Sequence, residues 1–318
     1  MNFKNFVDTF WPNTIDGLSL GAIYALIALG YTLVYGVLRL INFANSEVFM
    51  VGTFGSSTAL WLLGIRTPSL KGGIALIGVL ALMFVLALLF SMTTAIMLEF
   101  AAYRPLRKRN APRLVFLITA IGASLAISEA VGAFGTRKRD TYPFARVWDT
   151  RHVLFSVGAG EVQVRHVVTV LGSLVMMAGL TVFVSRTRLG RGMRAVAQDS
   201  ETSRILGVNV NQVILLTFLI GGIMAGGAAF LYFLYYESTR YTVGFLLGVK
   251  SFTAAVLGGI GNITGARLGG FLLGLVENYG AGLFGGKWKD PIAFFVLVIV
   301  LMLRPSGLLG EKLGRTRA

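Results

Sequence analysis

The stretch Gly72–Leu98 carries no charged residue, and it is one of several long apolar segments in the chain. About 20 such residues cross the hydrocarbon core of a bilayer as an α-helix. Charged residues make up only 14% of the 318 residues, against about 25% in soluble domains. Too little charge remains to cover a surface that faces water. A membrane β-barrel is excluded because its strands alternate polar and apolar residues over about ten positions, and that pattern is missing.

The apolar segments predict an all-α, polytopic transmembrane helical bundle of eight or nine spans. The last three segments are short or closely joined, so one of them is a candidate for an interrupted or re-entrant helix. The whole chain, 1–318, is predicted to form a single transmembrane domain. The predicted spans are 14–37, 44–64, 73–98, 113–133, 165–185, 212–236, 246–260, 265–284 and 290–303.

Basic residues concentrate in three segments, 103–113, 186–211 and the tail from Arg304. Because cytoplasmic loops retain Lys and Arg, and even numbers of spans separate these segments, all three are predicted to be cytoplasmic. The concentration of basic residues in cytoplasmic loops explains the net charge of +15, so binding to nucleic acid is not needed to account for it. The N-terminus and loop 134–164 then lie outside, although that loop also carries basic residues. Alternating residues on both sides of 158–160 predict a hairpin within the loop.

Many of the 40 glycines recur at a spacing of four residues. Residues four apart share a helix face, and glycines there let a second helix approach closely. The pairs therefore indicate tight packing or, alternatively, a seam that slides. The cluster 257–270 lies between two short apolar runs and predicts an interrupted helix that lines a cavity. The candidate gating residues in it are Gly258, Gly259, Gly261 and Gly265. The spaced pairs are Gly17 with Gly21, Gly222 with Gly226, Gly244 with Gly248, and Gly270 with Gly274.

Acidic residues within membrane spans are candidates for function, because a buried charge is costly there. Lys250 and Arg267 lie near predicted span starts, so we expect their side chains to reach the interface and to leave the carboxylates without a deep cation. Glu99 is expected to reach water at a span end, and a cap or interfacial role is an alternative for Glu47. The candidates for the translocation pathway are Asn42, Asn45, Glu47 and Glu277, with Glu129 a further intramembrane acid.

No catalytic constellation is present in the sequence. The chain has no cysteine, and His152 and His166 lie too far apart in sequence for a standard metal pair. The nucleotide-binding GxxxxGK[ST] motif and the GxSxG and HExxH motifs are absent. The chain is therefore predicted not to be an enzyme and to bind no cofactor. A secondary transporter is the alternative, but it requires ionisable pairs or an inverted repeat at the midplane.

The loop 186–211 is longer than a connection between two spans requires. Residues 193–206 predict a short helix, which Gly207 ends. We interpret it as a docking helix for a cytoplasmic partner. An amphipathic helix that lies on the membrane surface is the alternative.

Four stretches resemble the LivH-type permease subunits of ATP-binding-cassette importers for branched-chain amino acids. Together they cover nearly the whole chain except loop 134–164. The stretches are GLSLGAIYALIALGYTLVYGVLRLINFANSEVFMVGTFG (17–55), RAVAQDSETSRILGVNVNQV (194–213), GVKSFTAAVLGGIGNITGARLGGFLLGLVEN (248–278) and RPSGLLG (304–310).

The resemblance implies a multi-pass permease of the bacterial inner membrane, surrounded by lipid and paired with a second permease. Two ATPase subunits that use ATP would bind the coupling loop 186–211, and an external substrate-binding protein would contact loop 134–164. Family members commonly have His-Gly at Asn45-Ser46 and often Pro at Thr264, so permeases for urea, amides or other small amino acids remain alternatives. The residues that the resemblance assigns to ATPase coupling are Arg194, Ala197, Asp199, Leu206 and Gly207.

Overall fold

The structure is a computed structural model that describes residues 7–65, 73–135, 142–143, 149–304 and 306–310. The basic residues predicted in the outer loop at 137–139 and 146, and those of the tail beyond 310, lie outside the described residues.

In chain order the helices are α1 (Phe10–Leu38), α2 (Asn45–Leu62), α3 (Ile74–Leu98), α4 (Arg104–Lys108), α5 (Arg113–Ala130), α6 (Val164–Arg186), α7 (Arg188–Gln198), α8 (Ser200–Ile205), α9 (Val210–Tyr236), α10 (Val243–Gly258), α11 (Ile263–Phe284) and α12 (Lys289–Leu303).

Each predicted span coincides with one of the longer helices, which confirms the helical bundle. Within the described residues, five helices are long and apolar enough to cross a membrane by themselves, and α10 is a shorter apolar helix. The number of crossings therefore stays a prediction. The five are Phe10–Leu38, Ile74–Lys108, Arg113–Ala133, Val164–Arg186 and Val210–Tyr236.

The helix that begins at α3 does not end at residue 98. It continues through a π-helical turn, Glu99–Tyr103, into α4; such turns insert one extra residue per turn without breaking a helix. Glu99 is consequently 2% exposed, and Arg107 Nη2 lies 2.6 Å from its Oε1. The expectation that Glu99 reaches water was wrong, because the charged residues after it belong to the same helix.

Helix α1 forms the centre of the bundle. Every residue from 19 to 34 is buried, and α1 contacts α9, α10 and α11 as well as α6. A helix that is apolar on all sides is stable among other helices or in lipid. The burial of residues 19–34 by the neighbouring helices places α1 at the core.

The spaced glycines let α1 and α11 approach to backbone contact. A methyl group at Gly21 would lie 2.9 Å from the Gly270 carbonyl oxygen, and one at Gly274 would lie 2.5 Å from Gly21 Cα. A backbone atom cannot rotate out of the way as a side chain can. For this pair of helices the packing interpretation of the glycine spacing is confirmed.

Replacing Gly274 with alanine will separate α1 from α11 and lower the stability of the protein by about 1–3 kcal/mol, as overpacking does. The measurement is the free energy of unfolding in detergent. The matched control is Gly179→Ala in α6, where a Cβ meets nothing within 4 Å. That variant should gain about 0.5–1 kcal/mol, because alanine favours a helix over glycine. Equal effects of the two variants would contradict the packing argument.

The predicted hairpin is present in the loop that precedes α6. Strands β2 (Val153–Val157) and β3 (Gly160–Gln163) pair antiparallel, and the hairpin packs on the first turns of α1, where Gly160 contacts Ile15. A second short pair joins β1 (Tyr142–Pro143) to β4 (Ser238–Thr239).

The described hairpin of loop 134–164 and loop 186–211 lie at opposite ends of the bundle. Gly160 contacts the start of α1, whereas Arg39, which follows its end, donates to the Ala197 carbonyl oxygen at 3.1 Å. A helix of 29 residues is about 43 Å long, so α1 separates the two loops by its full length. This geometry agrees with the parity argument, and the assignment of sides stays a prediction.

Candidate functional site

A group of polar side chains lies buried where α1, α2 and α5 meet. We call Tyr31, Ser46, Glu47 and Ser124 the polar centre. Glu47 is 1% exposed, and its Oε1 accepts hydrogen bonds from Ser124 Oγ at 3.1 Å and Ser46 Oγ at 3.4 Å. Among the described residues, Glu47 Oε2 has no hydrogen-bond partner. Buried polar atoms are normally satisfied, so this oxygen makes the polar centre a candidate site.

Two glycines of α10 form the wall of the polar centre. A methyl group at Gly244 would lie 2.6 Å from Glu47 Oε2, and one at Gly248 would lie 3.1 Å from the Tyr31 hydroxyl oxygen. Any larger residue at either position would displace the polar side chains. The glycine pair therefore supplies the space that the carboxyl group and the phenol occupy.

Helix α5 covers the polar centre with one narrow face. Of its 18 residues, only Phe116, Ala120 and Ser124 are buried, and these are spaced by four, so they lie on one stripe. The rest of α5 points away from the bundle or is partly exposed. Glu47 is thus separated from the surface of the chain by a single, weakly packed helix.

Asn42 and Asn45 lie beside the polar centre. Asn42 Oδ1 accepts a hydrogen bond of 2.8 Å from the Tyr103 hydroxyl, and each asparagine is 2% exposed. The side chain of Glu47 makes no cap to α2, and Glu47 is buried rather than interfacial. The alternative of a cap or an interfacial role for Glu47 was wrong, because residues 42–47 enter the bundle instead of resting at its surface.

A second buried group, the ion-pair cluster, joins α1, α10, α11 and α12. Lys250 Nζ lies 2.8 Å from Glu277 Oε1 and 2.6 Å from Asp290 Oδ1. The Tyr24 hydroxyl donates to Glu277 Oε2 at 3.0 Å. Glu277 is 1% exposed and Lys250 is 6% exposed. Both charges of the pair are thereby compensated away from water.

Lys250 is buried and pairs with Glu277, so the expectation that it leaves the carboxylates without a cation was wrong. The predicted span began at 246, but α10 begins at Val243. Lys250 therefore lies near the middle of this 16-residue helix. A buried lysine requires a partner, so a correct helix start would have shown that Lys250 needs an acidic partner.

The predicted interruption in the glycine cluster is present between α10 and α11. Gly259 and Gly261 have φ values of +107° and +96°, which an L side chain rarely adopts. Asn262 then begins α11, since its Oδ1 accepts from the amides of Thr264 and Gly265.

The tail closes the end of α10. The amide of Leu308 donates to the Leu257 carbonyl oxygen at 2.8 Å, and the amide of Leu309 donates to that of Gly258 at 3.0 Å. Gly258 also contacts the backbone of Gly265. These glycines pack against backbone, and their predicted part in gating stays a prediction.

Helix α7 is fixed to the end of α6. Thr187 Oγ1 caps α7 by accepting from the Gly190 amide at 3.0 Å, and Gly190 packs on the backbone of Val184. The Arg194 guanidinium donates to the Val184 carbonyl oxygen, while the Ala197 carbonyl accepts from Arg39. Arg194 and Ala197 therefore join α7 to the transmembrane helices.

The single helix predicted over 193–206 is in fact two helices. Asp199 Oδ1 accepts from the amides of Glu201 and Thr202, and an aspartate in this position begins a new helix. The hydrogen bond from the Thr202 hydroxyl, together with these amides, holds the pKa of Asp199 below its ordinary value. The prediction of one helix failed because it ignored this capping signal.

Helix α8 ends in an exposed apolar tip. Ile205 is 85% exposed and Leu206 is 77% exposed, and Gly207, at φ +84°, ends the helix as predicted. We call Ile205 and Leu206 the coupling surface. Helix α7 lies between this tip and the end of α6.

The family described as "Branched-chain amino acid transport system / permease component" matches residues 13–301. The chain belongs to this permease family. A permease with helices of this length and hydropathy is a multi-pass protein of the inner membrane.

Two relatives of this permease match over most of their length. It is 40% identical to the high-affinity branched-chain amino acid transport system permease protein BraD of Pseudomonas aeruginosa, over 93% of this chain and 94% of that protein. It is 38% identical to the permease protein LivH of Escherichia coli K12, over 95% of this chain and 96% of that protein.

Among solved structures, the permease is similar to a chain of PsaBC from Streptococcus pneumoniae, determined in complex with a Fab. The TM-score is 0.51 with 12% identity, over 96% of this chain and 97% of that chain. At this identity the likeness concerns the fold alone.

The predicted pathway residues of this permease fall into two places. Asn42, Asn45 and Glu47 lie together at the polar centre, whereas Glu277 lies in the ion-pair cluster. The sequence analysis did not include Ser124, which donates a hydrogen bond to Glu47 although the two residues are 77 positions apart. No local sequence pattern predicts a contact between residues so far apart in the chain. It also omitted Ile205, although that residue is apolar within a soluble loop.

Proposed function

We propose that this permease carries branched-chain amino acids through the inner membrane. It does so as one of two permease subunits, with eight or nine membrane crossings. Two cytoplasmic ATPase subunits bind the loop that contains α7 and α8 and use ATP, while this chain binds no cofactor. An external binding protein delivers the substrate to the end that carries loop 134–164. The names of the two relatives support this substrate class over urea, amides or other small amino acids.

The observation that supports a substrate role for the polar centre is the unpartnered Oε2 of buried Glu47. A carboxyl oxygen beside a phenol accepts hydrogen bonds from an ammonium group, which an amino acid carries. We therefore assign the polar centre to transient recognition of the substrate's α-ammonium group.

Access to the polar centre requires α5 to move. With three buried residues, α5 is held less firmly than α1, of which 17 of 29 residues are buried. Elements with few buried contacts open at the lowest free-energy cost. Movement of α5 relative to α2 is the gating step that exposes Glu47.

Replacing Glu47 with glutamine will lower ATP-driven leucine uptake by about tenfold to a hundredfold. The substitution keeps the shape and removes a hydrogen bond to a charged group, which contributes about 1.5–3 kcal/mol. The measurement is uptake of labelled leucine by the complete importer in proteoliposomes.

The matched control is Glu129→Gln, which makes the same change at an exposed position of α5. It should leave uptake near the wild-type rate. Co-purification of the other subunits should be unchanged in both variants. Wild-type uptake by the Glu47→Gln importer would exclude the proposed role.

A further inference from the structure

A groove lies between α7 and the first three turns of α9. Its volume is about 590 Å³, and it is lined by residues 188–195 on one side and 208–219 on the other. The groove opens to the surface at the same end of the bundle as the coupling surface. It takes no part in the polar centre or the ion-pair cluster.

Two arginines stand at the polar end of the groove. Arg188 and Arg191 are exposed, and residues three apart lie on the same helix face. No acidic residue lines the groove, and neither arginine forms an ion pair with a carboxylate of the described chain. Asn209 and Gln212 also line the groove. This end of the groove therefore presents two uncompensated positive charges.

The other end of the groove is apolar. Leu215, Leu216 and Leu219 line it, and Val213 at its base is buried. Leu219 lies nine residues beyond the start of α9, which corresponds to about 14 Å along the helix. Helix α9 is long and apolar enough to cross a membrane, and the span predicted from the sequence begins at 212, so we place the apolar end of the groove in the hydrocarbon region.

We propose that this groove binds an anionic phospholipid. The phosphate contacts Arg188 and Arg191 at the interface, and one acyl chain lies along the leucines of α9. Basic pockets beside transmembrane helices bind acidic lipid headgroups in this manner. A soluble anion would use the arginines but leave the apolar wall uncovered, so the combination of both surfaces selects a lipid.

The proposed lipid contacts two different helices, α7 and α9. It contacts α7, which leads to the coupling surface, and α9, which packs on α1. Occupation of the groove therefore stabilises the position of α7 against the bundle. The ATPase subunit is a competing occupant, but the apolar half of the groove extends to membrane depth, where a soluble subunit cannot reach.

Native mass spectrometry of the complete importer tests the proposal, with phosphatidylglycerol and phosphatidylcholine as probes. The wild-type complex should retain phosphatidylglycerol in preference to phosphatidylcholine. The variant Arg188→Gln with Arg191→Gln should bind it about thirtyfold more weakly, at about fivefold per arginine. The control is Arg109→Gln with Arg113→Gln, two exposed arginines outside the groove, which should retain the lipid as the wild type does.

Three results would overturn the proposal. The first is equal retention by the groove variant and the control. The second is displacement of the lipid by inorganic phosphate, which would assign the arginines to a soluble anion. The third is loss of the ATPase subunits from the groove variant with lipid retention unchanged.

If the variant does not assemble, a photoactivatable phosphatidylglycerol added to the wild-type importer decides the question: labelling of 210–219 supports the site, and labelling confined to other segments excludes it. These readouts do not depend on transport, so they stand apart from the test of Glu47.

Discussion

Replacing Lys250 with methionine will destabilise the protein by about 3–5 kcal/mol, the cost of leaving a buried charge without its partner. Glu277 is 1% exposed and loses its cationic partner in this variant. Asp290, by contrast, is 47% exposed at its side chain and becomes hydrated. The Tyr24 hydroxyl alone does not compensate the remaining carboxylate. The measurement is the unfolding free energy, or the midpoint of thermal unfolding, of the purified protein in detergent.

Two further variants separate the ion pair from simple loss of packing. Lys250→Met with Glu277→Gln removes both charges and keeps an acceptor for Tyr24, so most of the lost stability should return. Arg151→Met removes a half-exposed partner of Glu237 and should cost less than about 1 kcal/mol, as exposed ion pairs do. If the single and the double variant at Lys250 unfold alike, the cluster is not held together by charge.

Charging the coupling surface will separate the ATPase subunits from the permease. Ile205→Asp or Leu206→Asp alone should weaken association by roughly thirtyfold, because a central apolar contact residue contributes about 2 kcal/mol or more to binding. The double variant should weaken it further. Both side chains are more than three-quarters exposed, so the changes create no cavity in the permease. The measurement is the dissociation constant of the ATPase subunits from the detergent-solubilised permease.

The control carries the same charges at the opposite end of the bundle. Leu154→Asp with Phe155→Asp alters two exposed apolar residues of the hairpin and should leave ATPase association unchanged. Arg194 is less suitable for this test, because its guanidinium contacts Val184 and a charge reversal would disturb the joint between α6 and α7. Unchanged association in the Ile205 and Leu206 variants would show that the ATPase docks elsewhere.

The helices of this permease could be predicted because hydropathy alone specifies them. A segment of the length of α6 or α9, without charge in its interior, has no stable alternative inside a bilayer. The break after Gly258 and the hairpin around Gly158 were also predicted, since glycine marks both. The π-turn at Glu99–Tyr103 was not, because nothing in its composition differs from an ordinary helical turn.

The site could be predicted only where one residue is unusual by itself. Glu47 attracts attention because a carboxyl group within a span is costly. Its contact with Ser124 depends on how α5 packs on α2, and that arrangement is a property of the folded bundle. The error at Lys250 had a different cause. The predicted start of the span, residue 246, lies three residues after the start of α10 at Val243, so Lys250 was expected near the interface instead of inside the bundle.

The closure of α10 by residues 308 and 309 determines when this part of the protein can finish folding. The last four carbonyl groups of an α-helix lack partners within it. In α10 those of Ala255 and Val256 accept from the Gly259 amide, while those of Leu257 and Gly258 accept from the tail. The ribosome makes the tail only after α11 and α12. During synthesis, the carbonyl groups of Leu257 and Gly258 therefore lack these tail partners until residues 308 and 309 have been translated. The hydrogen bonding of the bundle is completed only at the end of translation.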